Sequence, residues 1–207
     1  MIALLTGLLW ALEITERPLP WSAERQALTL DYLREHTDPA AQSVEMAPQV
    51  VVLHWTAGPS AEAAFSTFAP VRLAGRPELQ KAGALNVGAH FVVDRDGAVF
   101  RLAPETRVLR HCIGLNHVAI GVENVGGGRY GDLTPAQAAA NIALVRDLAA
   151  RFALTHLIGH HEASRLRGQP PYVERVAGYT NEKADPGDAF MAAVRAGTAD
   201  LGLRGPP

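Results

Sequence analysis

The chain of 207 residues has little lysine and almost no cysteine: 17 arginines stand against two lysines, Lys81 and Lys183, and Cys112 is the single cysteine. One cysteine excludes an intramolecular disulfide and any multi-cysteine zinc cluster, but it does not mark a compartment, because cytosolic and exported proteins alike can lack disulfides. The net charge of -2 and the absence of a lysine-rich stripe argue against a nucleic-acid-binding protein. Repeats and low-complexity tracts are missing too. The one pronounced terminal apolar stretch, "MIALLTGLLWAL", is too short to span a bilayer. It resembles the apolar part of a secretion signal, yet lacks a basic residue ahead of it and a clear small-residue cleavage site. Two readings stay open, a leader or an apolar segment that packs on the domain.

What is present reads as alternating strands and helices. The length suits one domain with a sizeable core. "SAERQALTLDYLREH" predicts a helix capped by Ser22, with Leu30 and Leu33 on one face. "VVVLHW" is a continuous apolar run, as expected of a buried strand ending near His54. "AHFVVDRDGAVFRL" sets apolar segments on either side of Asp96-Gly97, the pattern of a hairpin. "VAIGVEN" supplies a further strand ending around Glu123. Thr134, Pro135 and Gln137 open a helix through a capping box, with Ile142, Val145, Leu148 and Ala149 on its expected buried side. A short strand "HLIGH" follows, then a connection punctuated by Gly and Pro over 162–183. A closing helix is expected from about Pro186, with Asp185 placed to cap it. The expected fold is α/β, a single domain with a central mixed sheet covered by helices.

Three side chains fit a metal site assembled by such a fold. His54 ends the first core strand; alone, a histidine there is more often a hydrogen-bonded wall residue than a ligand. His160 holds the corresponding place after "HLIG", so two histidines at neighbouring strand ends can converge on one ion. Asp185 supplies a hard oxygen, completing two histidines and one aspartate with a fourth position open; its alternative use is the helix cap. His160 and His161 are adjacent, and in extended backbone their rings diverge, so only one faces a given site. Glu123 is the candidate base, or else a strand-end carboxylate paired with an arginine. Lys183 is the candidate positive partner for charge developing on a carbonyl oxygen, or else a solvated loop lysine.

Together, "VVLHWTAG", "NVGAHFVVDRDGAVFRL", "RHCIGLNHVAIGVENVGG", "IGHHEAS" and "KADPG", in that order between about Val51 and Ala199, resemble the zinc-dependent N-acetylmuramoyl-L-alanine amidases of type 2, relatives in fold of the peptidoglycan recognition proteins. The resemblance implies Zn²⁺ bound by His54, His160 and Asp185, with Glu123 and Lys183 catalytic. His161 falls on a variable position and is expected to line the cleft or fix the loop. The implied reaction is hydrolysis of the amide between N-acetylmuramic acid and L-alanine, in peptidoglycan or muropeptides. The alternative is a non-catalytic peptidoglycan-binding or sensing module. Residues 1–45 then read as an N-terminal segment packing on or preceding the core, 46–200 as the catalytic domain and 201–207 as a tail. Periplasmic or secreted location is the preferred expectation, and cytoplasmic muropeptide recycling the alternative. No stable transmembrane span is expected.

The chain departs from the family pattern in two places. The family joins the second histidine to Lys-x-Asp-Pro-Gly by a short connection, whereas here 24 residues separate His160 from Asp185. The usual Trp-His-Ala-Gly wall reads Arg110-His111-Cys112-Ile113-Gly114, with Cys112 expected to pack as a buried side chain. His90, His111 and Asn116 are expected to line the substrate groove or to hold backbone, and Tyr172 and Tyr179 to offer aromatic contacts.

Overall fold

The computed structural model describes residues 12–207. Of the apolar N-terminal stretch only Leu12 falls among them, so the choice between leader and packed segment lies outside the described residues. The chain builds β1 (Ile14–Glu16), α1 (Ala23–His36), β2 (Val50–Trp55), α2 (Ala61–Phe68), the short α3 (Pro77–Gln80), β3 (Phe91–Val93), β4 (Val99–Arg101), β5 (Ala119–Asn124), α4 (Pro135–Arg151), β6 (His156–Gly159) and α5 (Asp188–Gly197). All six strands join one mixed sheet in the order β1-β4-β3-β5-β2-β6, in which only β3 and β4 pair antiparallel. This is the mixed α/β sheet expected from the sequence.

Val50 to Leu53 are fully buried because β2 is covered on both faces. Val51 and Leu53 pack with Leu144, Val145 and Leu148 of α4 and Met191 and Val194 of α5. Val50 and Val52 point the other way, toward Cys112, Leu115, Ala119 and Ile158. Each such side chain contributes roughly 1.5–3 kcal/mol by leaving water. The β3–β4 hairpin closes as expected: the Gly97 N–H donates to the Asp94 carbonyl at 2.9 Å with Gly97 at φ 91°, a conformation that glycine adopts at least cost.

Ser22 caps α1 by accepting from the Arg25 N–H at 3.2 Å. Arg25 itself is buried and donates to the carbonyls of Phe68, Ala69 and Pro70, satisfying oxygens that the end of α2 leaves without helical partners. Residues 12–45 therefore share the sheet through β1 and the core through Leu33.

Two helical expectations need correction. In α4 the capping box is present and Ile142 packs, half-buried, against the core, but Ala149 is only half-buried and the fully buried face adds Gln137, Asn141 and Leu144 to Val145 and Leu148. Two amides can sit there because their N–H groups are paired, Gln137 with the carbonyls of Val93 and Val125 and Asn141 with the Asn124 side chain. The closing helix starts at Asp188, with Gly187 as its cap residue and no side-chain cap bond. Asp185 is thus free of that duty. The C-terminal tail runs beside β6: the Leu157 N–H donates to the Arg204 carbonyl at 3.0 Å and the Arg204 N–H to the Thr155 carbonyl at 2.9 Å.

Candidate metal centre and its cleft

Strand register brings the site together. His54 of β2 lies opposite Glu123 of β5, and Leu53 lies opposite Gly159 of β6, so His160 comes level with His54 one residue past the strand. By the two-residue period, His54 follows Val50 and Val52, Glu123 follows Ala119 and Gly121, and His160 follows Ile158, all on the face away from α4 and α5.

The result is a compact triangle. His54 Nδ1 lies 2.9 Å from His160 Nδ1 and 3.2 Å from Asp185 Oδ2, and His160 Nδ1 lies 3.1 Å from the same oxygen. All three residues are buried, and among the described residues they form a group able to hold a metal ion. The donor set fits zinc: two imidazole nitrogens and a carboxylate oxygen are its ordinary ligands, and bonds of 2.0–2.2 Å in a tetrahedral arrangement separate neighbouring donors by about 3.3 Å. Burial opposes ionisation of Asp185, but its close contacts with His160 and His54 overcome it and lower its pKa. Burial first, and then the neighbouring His54, hold His160 down at about 4. The site thus presents the Asp185 carboxylate and a neutral His160 ring, forms a cation requires.

His160 and His161 part company as the sequence suggested, for a different reason. The backbone there has left the strand for a 3-10 turn, His160–Leu166. A Cβ on Gly159 would stand 2.6 Å from the His161 ring and 3.0 Å from Met191, which places His161 on the α5 side of the sheet. There its N–H and Nδ1 both meet the Asp185 carbonyl, at 2.8 and 3.0 Å, and Nε2 meets Asp188. His161 holds the backbone of Asp185 and leaves the carboxylate free.

A further ring backs His54. His54 Nε2 lies 3.1 Å from His111 Nδ1, and His111 Nε2 lies 3.1 Å from the Ala119 carbonyl. The ring fits because position 121 is glycine, where a Cβ would approach His111 to 2.7 Å. Burial keeps the His111 pKa well below its ordinary value, helped by His54 and His90 nearby. From within the sheet, Asn124 Nδ2 donates to the His54 carbonyl at 3.0 Å, and Asn141 donates to Asn124. Position 121, a glycine inside a strand, was the sequence signal for such a close approach.

A cleft of about 240 Å³ opens above the triangle, and Glu123, Lys183, His111, Asn116, Tyr179 and Trp55 are among its walls. Glu123 is partly exposed, yet Oε2 is buried without a partner, and burial pushes its carboxyl up to about 7. No arginine pairs with it among the described residues. Lys183 is half-buried and makes no hydrogen bond or ion pair with another described residue. Cys112 packs in the core beneath the cleft and stays outside the metal-capable group. Of its two expected roles His90 takes the backbone-holding one: it is fully buried between the Arg107 carbonyl and the Gly121 N–H and does not reach the cleft. Tyr172 lies against Gly114 and, unlike Tyr179, is not a cleft residue.

Known proteins share parts of this sequence and its fold. The chain is similar to the endolysin of Escherichia phage T7, 38% identical over 90 residues that cover 41% of this chain and 60% of that protein. The match thus spans under two thirds of that relative's length. In fold it is similar to the N-acetylmuramoyl-L-alanine amidase LysC from Clostridium intestinale URNW, with a TM-score of 0.58, 21% identity, and coverage of 93% of this chain and 99% of that one. It also resembles the Drosophila peptidoglycan recognition protein SD, with a TM-score of 0.51, 14% identity, and coverage of 89% and 94%. Residues 44–188 match the family model described as N-acetylmuramoyl-L-alanine amidase, a stretch that holds His54, Glu123, His160, Lys183 and Asp185. With most of its length matched and these five residues gathered around one cleft, the chain belongs to the Amidase_2 family of N-acetylmuramoyl-L-alanine amidases.

Proposed function

We propose that this protein is a zinc-dependent amidase that hydrolyses the bond between N-acetylmuramic acid and L-alanine in peptidoglycan or muropeptides. The observation that carries the reading is the convergence of His54 Nδ1, His160 Nδ1 and Asp185 Oδ2 to within 2.9–3.2 Å, in a cleft walled by Glu123 and Lys183. These three atoms hold the ion. Zinc bound there supplies Lewis acidity that polarises an oxygen of substrate or water.

The chain's own groups manage protons and charge. Glu123 accepts a proton from the attacking water as its oxygen bonds to the carbonyl carbon, and returns that proton to the amide nitrogen as the C–N bond breaks. A carboxyl held near neutrality by burial suits this exchange, and a neighbouring cation strengthens its anionic form. The Lys183 ammonium faces the negative charge that gathers on the carbonyl oxygen. Losing one such stabilising group costs roughly 3 kcal/mol, or about 100-fold in rate.

The test is release of peptides with a free L-alanine amino terminus from purified peptidoglycan, with metal content measured before and after chelation. Unchanged activity in metal-free protein overturns the zinc mechanism. Retained binding without cleavage in the metal-replete protein supports a binding or sensing module instead. We also infer action in the cell envelope after export, where the substrate lies. Among the described residues no helix is long and apolar enough to cross a membrane. Fractionation of the producing cell with mass measurement of the N-terminus decides this point; full-length protein confined to the cytoplasm would favour muropeptide recycling.

A further inference from the structure

Residues 179–185 have no regular secondary structure, yet their exposure alternates. Tyr179, Asn181, Lys183 and Asp185 line the cleft, while Thr180, Glu182 and Ala184 are exposed. This is the two-residue period of an extended chain. One strut therefore carries a metal-capable carboxylate at one end and an aromatic side chain at the other. Extended spacing puts Asn181 at most about 13 Å and Tyr179 at most about 20 Å from Asp185.

The strut is fastened at its far end to α1. His36 Nδ1 lies 2.8 Å from Glu174 Oε1, with side-chain exposures of only 2% and 6%, and the Arg175 N–H donates to the His36 carbonyl at 3.0 Å. The His36 ring lies 4.1 Å from that of Tyr32 and 5.0 Å from that of Tyr179. Arg110, a buried residue of the same cleft wall, donates to the Leu79 and Leu85 carbonyls and, at 2.9 Å, to the Tyr179 hydroxyl.

That last bond fixes what Tyr179 offers. A guanidinium only donates, so the tyrosine oxygen accepts and its own proton remains for another acceptor. Asn181 has no side-chain hydrogen bond to another described residue, so its carboxamide brings a free donor and a free acceptor into the cleft. A hydroxyl donor and a carboxamide two residues apart along an extended strut repeat every ~7 Å, the spacing of same-side amide groups along an extended peptide.

We propose that Tyr179 and Asn181 are specificity-determining residues that bind backbone amides of the substrate's stem peptide, and that His36 and Glu174 are positioning residues that hold the strut against the cleft. The assignment rests on the amidase reading above and extends it to the substrate's peptide arm.

The experiment compares muramyl dipeptide with muramyl tetrapeptide on the zinc-replete full chain, by kinetics and by calorimetry. The wild type favours the longer stem. Tyr179→Phe and Asn181→Ala each lower kcat/KM for the tetrapeptide about tenfold, the upper range for one hydrogen bond. The loss falls in KM, while dipeptide turnover and bound zinc are unchanged. Glu174→Ala repeats the effect and Glu174→Gln recovers it. Equal losses on both compounds, no loss, or a loss seen only when the glycan is lengthened overturns the proposal. If the wild type cleaves neither compound, the amidase reading fails. Calorimetry then decides the strut: tighter binding of the tetrapeptide that Tyr179→Phe and Asn181→Ala abolish upholds it, and equal binding of both compounds refutes it.

Discussion

His111 fixes the tautomer of His54. Its Nε2 faces the Ala119 carbonyl at 3.1 Å, an acceptor only, so Nε2 carries the proton and Nδ1 is left as an acceptor. His54 Nε2, 3.1 Å away, must then be the donor, which leaves His54 Nδ1 as a bare lone pair in the triangle. His111→Phe keeps a ring in place but removes that acceptor, and metal affinity should fall about 10–100-fold. Competition with a chelator of known affinity measures this, and His111→Gln should restore part of the loss. Unchanged affinity in the Phe variant contradicts the relay.

The adjacent histidines should separate cleanly by metal content. His160→Ala removes one of three ligands, so zinc is lost and turnover abolished. His161→Ala loosens the Asp185 backbone and retains near-stoichiometric zinc, with weaker substrate handling or stability. Zinc measured at matched pH and free metal checks both; loss in the second with retention in the first reverses the assignment.

Glu123→Gln preserves size and hydrogen-bonding shape but removes the proton acceptor. Turnover should fall about 10²–10⁴-fold while zinc content and thermal midpoint hold. A variant that keeps wild-type turnover removes Glu123 from the mechanism.

His90 gives the fold a pH dependence independent of turnover. Burial holds its pKa at about 4, against about 6.5 in an unfolded chain. Between those values the unfolded chain binds a proton that the folded one does not. Stability is therefore complete above about pH 6.5 and declines as pH falls toward 4, by at most about 3 kcal/mol from this group. Urea midpoints of the metal-free protein across that range should drop on acidification, less steeply in His90→Gln. Equal slopes would falsify the assignment to His90.

Much of this architecture was legible in local sequence. The capping box at Thr134 and Gln137, the Asp96-Gly97 turn and the run Val50 to Leu53 each carry a backbone requirement written within a few residues. His54, Glu123 and His160 were readable because strand ends align in a sheet. Side chains whose roles depend on distant partners were not. Nothing around Asn141 announces that it braces Asn124 beneath His54, and nothing around Arg110 announces four oxygen acceptors, from Leu79, Gly83, Leu85 and Tyr179. Asp185 carried two readings, ligand and helix cap, because the local pattern permitted both; its carboxylate lies with two remote histidines, and Gly187 opens the helix.

The strand that leads into His160 lies at the margin of the sheet, and the run of chain at Arg204 occupies its outer side. An uncovered strand margin is a template for pairing with another molecule. The chain at Arg204 therefore takes up backbone groups of β6 that would otherwise stand open, on the strand that leads into the candidate metal site.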